Sequence, residues 1–554
     1  MKKRFLKTIV AVVVAVTIAV LCMPISLAAN YTGTCGENLK WSYDSSTGTL
    51  TISGKGSMSN DWTMGSEAEE DDVRIFEATS LVIEDGVTAI YEEAFETYTN
   101  LANITIADSV NFIGKDAFYN TAYYKNPNNW ENNVLYVGKF LIEANSDLSG
   151  AYEIKDGTKV IGEYAFMGKK ITDIKIPDSV TEISKAAFNS CDFTSVTIPN
   201  SVTEIGEAAF KGCKNLTSIN IPDSVTTIGD DAFADCTSLS SISIGNGVTR
   251  IGYKVFDDTA FSNDRSNWEN NNVLYVGNYL VDAFHSLSGS YAIKEGTRVI
   301  ANSAFYDIDD LTSVTIPDSV ISIGTNAFYG TGIYNDSSNW ENDVLYIGDC
   351  LILASRIVKT NTYTTISLSG DYKIKDGTRV IADYAFTHCE NLTSITIPNS
   401  VKTIGEKAFW SCTSLTNIVL PNGITTIEEG TFRGCKNLNS ITFGKNVTAI
   451  DNEAFYDCKS LSTVNYNGSD ADWNKISIGA YNDALLKVTK SSSGSASSNN
   501  ENNEDSIADS DSKSDRKKKS DGSDSGAVTI IVAAVAVIVV AAGVVLVVMK
   551  KKKA

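Results

Sequence analysis

The chain has 554 residues, of which 20% are charged and 43% hydrophobic, and its formal net charge is −21. Residues 1–29 and 527–554 together carry eight basic residues and no acidic ones, so the part between them has a net charge near −29. A surface this acidic repels phosphate backbones, which excludes nucleic-acid binding, and it keeps copies of the protein apart in solution.

Residues 1–29 are predicted to be a secretory signal peptide. Lys2, Lys3 and Arg4 precede an apolar run, and the small residues Ala28 and Ala29 offer a cleavage site. Residues 30–75 are predicted to form an N-terminal β cap, because "LKWSYDSSTGTLTISG" alternates apolar and polar residues as a hairpin does. Such a cap would cover the first coil of a repeat array and prevent end-to-end association.

Residues 76–463 are predicted to form a repeat solenoid that is mainly β. A phenylalanine, usually preceded by alanine, recurs throughout this region, and nine of the twelve intervals between successive copies are 22 or 23 residues. The repeated phenylalanines are Phe95, Phe118, Phe166, Phe188, Phe210, Phe233, Phe256, Phe305, Phe328, Phe386, Phe409, Phe432 and Phe455. A fixed period of this length indicates stacked structural units, each of which needs its neighbours to bury its apolar side.

One copy, "LTSINIPDSVTTIGDDAFADC", shows how a coil is built. Ile219 and Ile221 are two residues apart, so both face inward on a short strand while Ser218 and Asn220 face outward. Pro222 has no N–H to continue a ladder and ends the strand.

The pattern L-x-x-I-x-I-P-x-S-V-x-x-I-G-x-x-A-F-x-x-C resembles the leucine-rich repeats of bacterial surface antigens, the BspA-like or treponemal type. The resemblance extends from Leu81 to Leu461, with glycine in place of proline at Gly245 and Gly444. It implies a curved, right-handed leucine-rich-repeat stack with short parallel strands along one face. It also implies a surface role in adhesion to host proteins or to other cells.

Three intervals, of 48, 49 and 58 residues, predict insertions near residues 120–150, 258–290 and 330–370. In the second, "VLYVGNYLV" reads as two strands around Gly277, which predicts a β-hairpin with a type II′ turn. Ile293 lies 12 residues before Phe305, as Ile221 does before Phe233, so the chain is expected to return in register.

Each insertion also contains a Trp-Glu-Asn phrase, at Trp130, Trp268 and Trp340. One interpretation is that the indole rings pack the base of each hairpin onto the solenoid, because the apolar residues around them need burial. The other is that they are stacking platforms for sugars. Both remain open from the sequence.

Seven cysteines follow a repeat phenylalanine by three residues: Cys191, Cys213, Cys236, Cys389, Cys412, Cys435 and Cys458. We interpret them as small buried thiols that pack the core, although neighbours in adjacent coils would be close enough for a disulfide. Only two histidines occur, His285 and His388, and neither has an identifiable catalytic partner. No enzymatic activity, metal site or cofactor is therefore predicted.

After the repeats, residues 464–490 are predicted to be a C-terminal cap and residues 491–526 a disordered linker, since almost nothing in the linker is apolar. Residues 527–549 carry no charge and no proline, which predicts one C-terminal transmembrane helix. Residues 550–554 form a basic tail typical of the cytoplasmic side of a membrane. The chain between the signal peptide and the transmembrane helix is therefore predicted to lie outside the cell.

The predicted binding face is a strip of small polar residues at the outward strand positions: Ser195, Thr197, Ser218, Asn220, Ser241, Ser243, Ser313, Thr315, Ser394, Thr396, Ser440 and Thr442. Serine and threonine also suit any solvated sheet surface, so the strip alone does not identify a ligand. We predict a non-enzymatic adhesion protein of the cell surface, with an extracellular protein or glycan as partner. The alternative is a structural or self-associating envelope protein.

Overall fold

The computed structural model of the protein describes residues 30–59, 72–270, 272–359 and 363–492. The predicted signal peptide, transmembrane helix and basic tail, and nearly all of the predicted linker, lie outside these ranges. In the described part of the chain, no helix is long and apolar enough to cross a membrane.

The fold is a mainly β solenoid in which most 22- or 23-residue coils contribute two short strands. The first series, here called the strip strands, includes the strands predicted to carry the polar strip. Each strip strand pairs in parallel with a strip strand of a neighbouring coil. The strip strands are Ser80–Ile83, Asn103–Ile106, Ser149–Glu153, Lys170–Lys175, Ser218–Ile221, Ser241–Ile244, Gly289–Ala292, Leu311–Thr315, Ser369–Lys373, Asn391–Thr396, Asn417–Val419, Ser440–Phe443, Thr463–Tyr466 and Thr489–Ser492.

The second series, here called the short strands, mostly ends on a buried isoleucine. Its members also pair in parallel from coil to coil, as Glu204–Ile205 does with Thr227–Ile228. The short strands are Gly56–Ser57, Val87–Ile90, Phe112–Ile113, Val160–Ile161, Glu182–Ile183, Glu204–Ile205, Thr227–Ile228, Arg250–Ile251, Val299–Ile300, Ser322–Ile323, Val380–Ile381, Thr403–Ile404, Thr426–Ile427, Ala449–Ile450 and Ser477–Ile478.

At the N-terminus, three strands extend the stack: Asn30–Thr34, Leu39–Asp44 and Thr49–Gly54. They pair antiparallel with one another, and the third pairs in parallel with the first strip strand. Because Leu39, Trp41 and Tyr43 are buried on one side of this sheet, it continues the apolar core of the coils.

The repeat phenylalanines form the centre of the core. Phe210 and Phe233 lie in one hydrophobic cluster, fully buried, with ring centroids 5.2 Å apart and planes within 1°. Phe386 and Phe409 stack in the same way at 4.9 Å. The prediction that equally spaced phenylalanines mark successive turns of a stack is confirmed. Within each run of coils between insertions, neighbouring rings bury their faces against each other.

The nine cysteines of the described residues are free thiols, and all are buried. Those that follow a repeat phenylalanine point toward the preceding coil: Sγ of Cys213 donates to the carbonyl oxygen of Phe188 at 3.1 Å, and Sγ of Cys236 to that of Phe210 at 3.1 Å. The thiol thus satisfies a buried carbonyl while filling a small apolar space.

Helical structure in the described chain is confined to single turns. The α-helical turns are Ala122–Lys125, Ala260–Asn263, Gly332–Asn335 and Asp470–Trp473. The 3-10 turns are Asp72–Glu77, Pro127–Asn129, Arg265–Asn267, Ser337–Asn339 and Asp483–Leu486.

At the three long intervals a helical turn leads into three antiparallel strands. These strands are Trp130–Glu131, Val134–Val137 and Phe140–Ala144 in the first; Trp268–Glu269, Val273–Val276 and Tyr279–Ala283 in the second; and Trp340–Glu341, Val344–Ile347 and Cys350–Leu353 in the third. The third interval is longer because Ser355–Lys359 and Tyr363–Ser367 form a further antiparallel pair. The last strand of each set of three pairs in parallel with the next short strand, so it takes the position that a short strand has in an ordinary coil.

The coils before and after an interval also touch directly. The N–H of Asn302 donates to the carbonyl of Ile251 at 3.0 Å, and the N–H of Asp383 donates to that of Ile323 at 3.0 Å. At the second and third insertions the coils on either side are therefore in contact next to their short strands, whereas their strip strands belong to separate sheets.

The two ends of the solenoid meet. Asp483 accepts hydrogen bonds from the N–H of Ser57 at 3.0 and 3.1 Å, and the Ser57 hydroxyl accepts one from the N–H of Tyr481 at 3.0 Å. Tyr481 also packs edge-on against Phe112, with ring centroids 5.9 Å apart. The first coils and the C-terminal segment are therefore packed together, although they are separated by more than 400 residues in sequence.

Candidate functional site

The predicted polar strip lies on the strip strands, and its register is visible where two of them pair. Ser218 lies opposite Ser241, and Asn220 lies opposite Ser243. All four side chains are exposed, whereas Ile219 beneath them is buried. The hydroxyl of Ser243 donates to Oδ1 of Asn220 at 2.5 Å, so side chains of adjacent coils are joined across the surface.

Other predicted strip residues are placed in the same way. Ser313 and Thr315 pair with Ser290 and Ala292, and Ser394 donates to Oδ1 of Asp371 at 2.7 Å. Ser440 donates to Oδ1 of Asn417 at 2.6 Å.

The strip strands do not form one sheet. Ser218–Ile221 and Ser241–Ile244 form a separate pair, as do Gly289–Ala292 with Leu311–Thr315 and Ser369–Lys373 with Asn391–Thr396. Ser195 and Thr197 are exposed but belong to no strand. The structure thus separates the predicted residues into groups. Pairing of the strip strands is interrupted at the insertions, and also within uninterrupted runs of coils, at Ser195 and Thr197 and between Asn391–Thr396 and Asn417–Val419.

The three repeated tryptophans have a common structural setting. The indole Nε1 of Trp130, Trp268 and Trp340 donates to the backbone carbonyl six residues earlier, at 2.7, 2.7 and 2.8 Å. Trp268 is only 7% exposed. These contacts favour the packing interpretation of the indole rings over open stacking platforms, because the polar edge of each ring is already bonded to the protein.

A charged cluster joins coils that are distant in sequence. Arg250 Nη1 lies 3.1 Å from Glu406 Oε2 and 3.7 Å from Glu429 Oε2. Lys407 Nζ lies 2.6 Å from Glu406 and 2.9 Å from Glu429. These residues line a cavity of about 480 Å³ together with Glu204. Sequence reasoning missed this cluster. The repeat pattern predicts only the neighbours of Arg250 in adjacent coils, such as Thr227 and, one coil further, Glu204, and it does not indicate a partner about 160 residues away.

The cluster contains carboxyl groups that bind protons unusually tightly. Burial raises the pKa of Glu204 to about 8, with a further contribution from the charge of Glu182. Burial likewise raises the pKa of Glu428 to about 8, and nearby Asp451 adds to the effect. Burial alone would also raise the pKa of Glu429, but Arg250 and Lys407 hold it below its usual range.

The junction of the two ends encloses a larger cavity, of about 750 Å³. Tyr91, Phe112, Tyr456 and Tyr481 contribute aromatic walls, and Arg433 is paired with Glu453 at its edge. This cavity has the size of a small-molecule site, but its aromatic rings also serve the packing of one end against the other.

The structure places the two histidines apart from any catalytic arrangement. The His388 ring packs on Trp410 with centroids 5.0 Å apart, while Sγ of Cys389 donates to the carbonyl of Ala354 at 3.5 Å. His285 Nδ1 lies 3.3 Å from the carbonyl oxygen of Asp307. Among the described residues, no group of three or more His, Cys, Asp and Glu side chains is arranged to hold a metal ion.

Comparison with solved structures finds bacterial leucine-rich repeat proteins. One from Bacteroides ovatus is 23% identical, with 82% of this chain and 98% of the other covered and a TM-score of 0.24. One from Eubacterium ventriosum is 20% identical, with 82% and 94% covered and a TM-score of 0.21. A leucine-rich cell surface protein from Faecalibacterium prausnitzii is 21% identical, with 81% and 97% covered and a TM-score of 0.19. No curated protein sequence is significantly similar to this chain.

The repeat itself matches a family model described as "BspA type Leucine rich repeat region (6 copies)". The match covers residues 74–152, 159–280, 282–367 and 356–484, which is more than half of the chain. It spans the same coils in which phenylalanines and isoleucines stack in the structure, and it is a repeat family, not a catalytic one. The chain therefore belongs to the BspA-type leucine-rich repeat family.

Proposed function

We propose that this protein is a non-enzymatic adhesion protein of the cell surface that binds an extracellular protein or polysaccharide through the polar strip. The main support is the alignment of exposed polar side chains on neighbouring coils, as in Ser218 with Ser241 and Asn220 with Ser243. Repeat solenoids bind partners along such extended faces.

Membership of the repeat family and the sequence-predicted signal peptide and C-terminal membrane helix support a surface location. The outward residues of the strip are small, with few large aromatic or arginine side chains among them. Binding energy is therefore spread over many weak contacts, and clustering of copies on a surface would raise the overall affinity.

The test is a binding screen of the full-length chain against immobilised matrix proteins and glycans. Replacement of Asn220 and Ser243 by lysine would place two cations on the strip without touching the core, and we expect it to reduce binding at least tenfold. Met167→Lys is the matched control, because Met167 is 48% exposed and lies outside the strip strands. Absence of binding across the panel, or equal loss in both variants, would contradict the proposal.

The alternative is a structural or self-associating envelope protein. The contacts between Ser57, Tyr481 and Asp483 cover part of the surface that head-to-tail stacking of copies would use. This observation favours the adhesion function. Sedimentation of the full chain at increasing concentration separates the two, since self-association gives concentration-dependent oligomers.

A further inference from the structure

The second insertion contains a cavity of about 300 Å³ that has a direct counterpart, filled with protein, in the other two insertions. The three insertions can be aligned residue by residue up to the tryptophan, after which the second has one additional residue before its next strand. In each, a threonine caps a four-residue helical turn, and the tryptophan Nε1 donates to the carbonyl of the third residue of that turn. That third residue is Tyr124, Ser262 and Tyr334, respectively.

In the first insertion the Tyr124 ring fills the space beside the tryptophan. Its centroid lies 5.3 Å from that of Trp130, with the planes at 78°, and 5.2 Å from that of Tyr119. Its hydroxyl donates to Oε2 of Glu143 at 2.8 Å. An edge-on aromatic contact and a hydrogen bond to a carboxylate thus hold this phenol in place.

The third insertion repeats the aromatic part of this arrangement. The Tyr334 ring lies 5.3 Å from Trp340 at 81° and 4.8 Å from Tyr329, and Tyr334 is buried. Two of the three insertions therefore carry a tyrosine ring in the same place and orientation.

In the second insertion serine replaces this tyrosine. Phe284 lies edge-on against Trp268, with ring centroids 5.9 Å apart and planes at 86°, and the cavity remains between these two rings, Ser262 and Asp282. Trp268, Asp282 and Asp257 correspond in sequence to Trp130, Glu143 and Tyr119, the residues around the Tyr124 ring, and all three line the cavity together with Ser262. Asp282 accepts a hydrogen bond from the N–H of Ala283 at 2.9 Å and keeps further acceptor capacity.

We propose that this cavity binds the phenol ring of a tyrosine side chain presented by a partner protein. The ring would pack against Trp268 beside Phe284, and its hydroxyl would donate to Asp282, as Tyr124 does to Glu143 within the chain. The inference rests on the proposed adhesion function and chooses a protein over a polysaccharide as the partner at this site.

The mouth of the cavity supports a protein partner. Eight large hydrophobic side chains of the described residues are exposed, and three of them, Tyr253, Phe284 and Tyr306, line this one cavity. The Arg265 guanidinium carbon lies 3.8 Å from the centroid of Phe284 and 4.7 Å from that of Trp268, so it forms a stacked wall. Exposed aromatic rings and a stacked arginine around a pocket are typical of protein interface hot spots, where tyrosine is a preferred anchor.

The charge state of Asp282 is compatible with this role. Asp282 is exposed at the cavity, and partial desolvation of its carboxyl raises its pKa to about 6, so the carboxylate is mostly ionised at neutral pH and can accept a phenol hydrogen bond. The nearby Lys254 and Asp257 neutralise each other at 3.4 Å. A neutral phenol therefore fits better than a strongly charged ligand.

The experiment measures binding of N-acetyl-tyrosinamide to the full-length chain by isothermal titration calorimetry. A ligand of this size is expected to bind with a Kd on the order of 1 mM. N-acetyl-phenylalaninamide, which lacks the hydroxyl, should bind at least fivefold more weakly. Asp282→Asn should weaken binding of the tyrosine probe at least fivefold and leave the affinity for the phenylalanine probe nearly unchanged.

Ser262→Tyr is the decisive variant, because it places in the second insertion the side chain that the other two already accommodate. It should fold with unchanged or higher Tm and bind the probe at least tenfold more weakly, whereas Ser262→Ala, which leaves the cavity open, should bind normally. Tyr124→Ser should open a second cavity beside Glu143, and the probe should raise the Tm of that variant more than that of the unchanged chain.

The proposal is overturned if the full chain shows no saturable binding of the probe, or if Ser262→Tyr binds it as well as the unchanged chain. It is also overturned if a monosaccharide binds the cavity and the tyrosine probe does not, which would make it a glycan site. Failure of the adhesion screen with intact probe binding would instead refute the proposed function alone.

Discussion

Replacement of Arg250 by methionine should destabilise the protein in a pH-dependent way. The change removes a guanidinium whose side chain is 21% exposed and which lies 3.1 Å from Glu406 and 3.7 Å from Glu429. Methionine keeps most of the aliphatic volume, so the expected loss comes mainly from the charge. Glu406, which is 8% exposed, would remain in the protein with Lys407 as its nearest cation.

The magnitude follows from the distances. At an effective dielectric constant of about 20, the contacts of Arg250 with Glu406 and with Glu429 each contribute roughly 5 kcal/mol of Coulomb attraction. The cost of desolvating the charges offsets a large part of this attraction. Removing one partner of a buried pair typically costs about 3–5 kcal/mol. With an unfolding entropy of about 2.1 cal/mol/K per residue, the Tm of a solenoid of this length should fall by roughly 3–5 °C.

The assay is thermal unfolding followed by circular dichroism at pH 5.5 and pH 8.5. The loss should be greater at pH 8.5, because Glu204 and Glu428, whose pKa is about 8, are mostly ionised there and their charge is partly offset by Arg250, whereas at pH 5.5 both are neutral. Lys175→Met is the control, since Lys175 and its partner Glu153 are 72% and 67% exposed and such pairs contribute at most about 1 kcal/mol. An equal loss in the two variants, or a loss independent of pH, would refute the idea that Arg250 neutralises a buried cluster.

Three further predictions concern pH, the core and the junction of the ends. Because the pKa of Glu204 and of Glu428 is about 8 in the folded state and an unfolded glutamate titrates near pH 4.3, both groups stabilise the protein fully below about pH 4. This stability is lost as the pH rises through about 8, so the Tm should be lower at pH 8.5 than at pH 5.5. Glu428→Gln should make the Tm depend less on pH. A Tm that rises over this interval would contradict the raised pKa of these two glutamates. Phe210→Ala should cost about 3–5 kcal/mol in urea unfolding, against less than about 0.5 kcal/mol for the exposed Met167→Ala, and similar costs would show that the ring stack contributes little. Asp483→Ala leaves the N–H of Ser57 without its acceptor and should cost about 1–3 kcal/mol, with faster hydrogen exchange at Ser57; unchanged exchange there would mean that the ends do not meet in solution.

The internal structure of a coil could be predicted from local sequence. The two-residue spacing of Ile219 and Ile221 gave the inward side of the strand, and the structure buries both while Ser218 and Asn220 stay exposed. The equal spacing of phenylalanines predicted their stacking, because a ring at the same place in every coil meets its counterpart at the distance between coils. These features depend only on neighbours within one or two repeats.

The contacts that depend on curvature could not be predicted. Arg250 and Glu406 lie on either side of two insertions, so whether they meet depends on the combined geometry of all the coils between them, which no repeat pattern records. The strip is divided into separate sheets, and Ser195 and Thr197 have no strand partners although their coil has the ordinary length, so no feature of the repeat pattern indicates this. The open cavity did have a sequence signal: Ser262 stands where Tyr124 and Tyr334 stand in the matching phrases.

The meeting of the two ends changes how order is maintained along the array. In a linear array each terminal unit lacks one neighbour, and melting begins there because the interface energy is incomplete. Here Tyr481 and Asp483 near the C-terminal end contact Ser57 and Phe112 near the N-terminal end. These contacts partly replace the missing interfaces, so the array resembles a one-dimensional system with periodic boundaries. Contact between the ends therefore disfavours fraying from them, and breaking this closed array at any other place would expose two new ends at once.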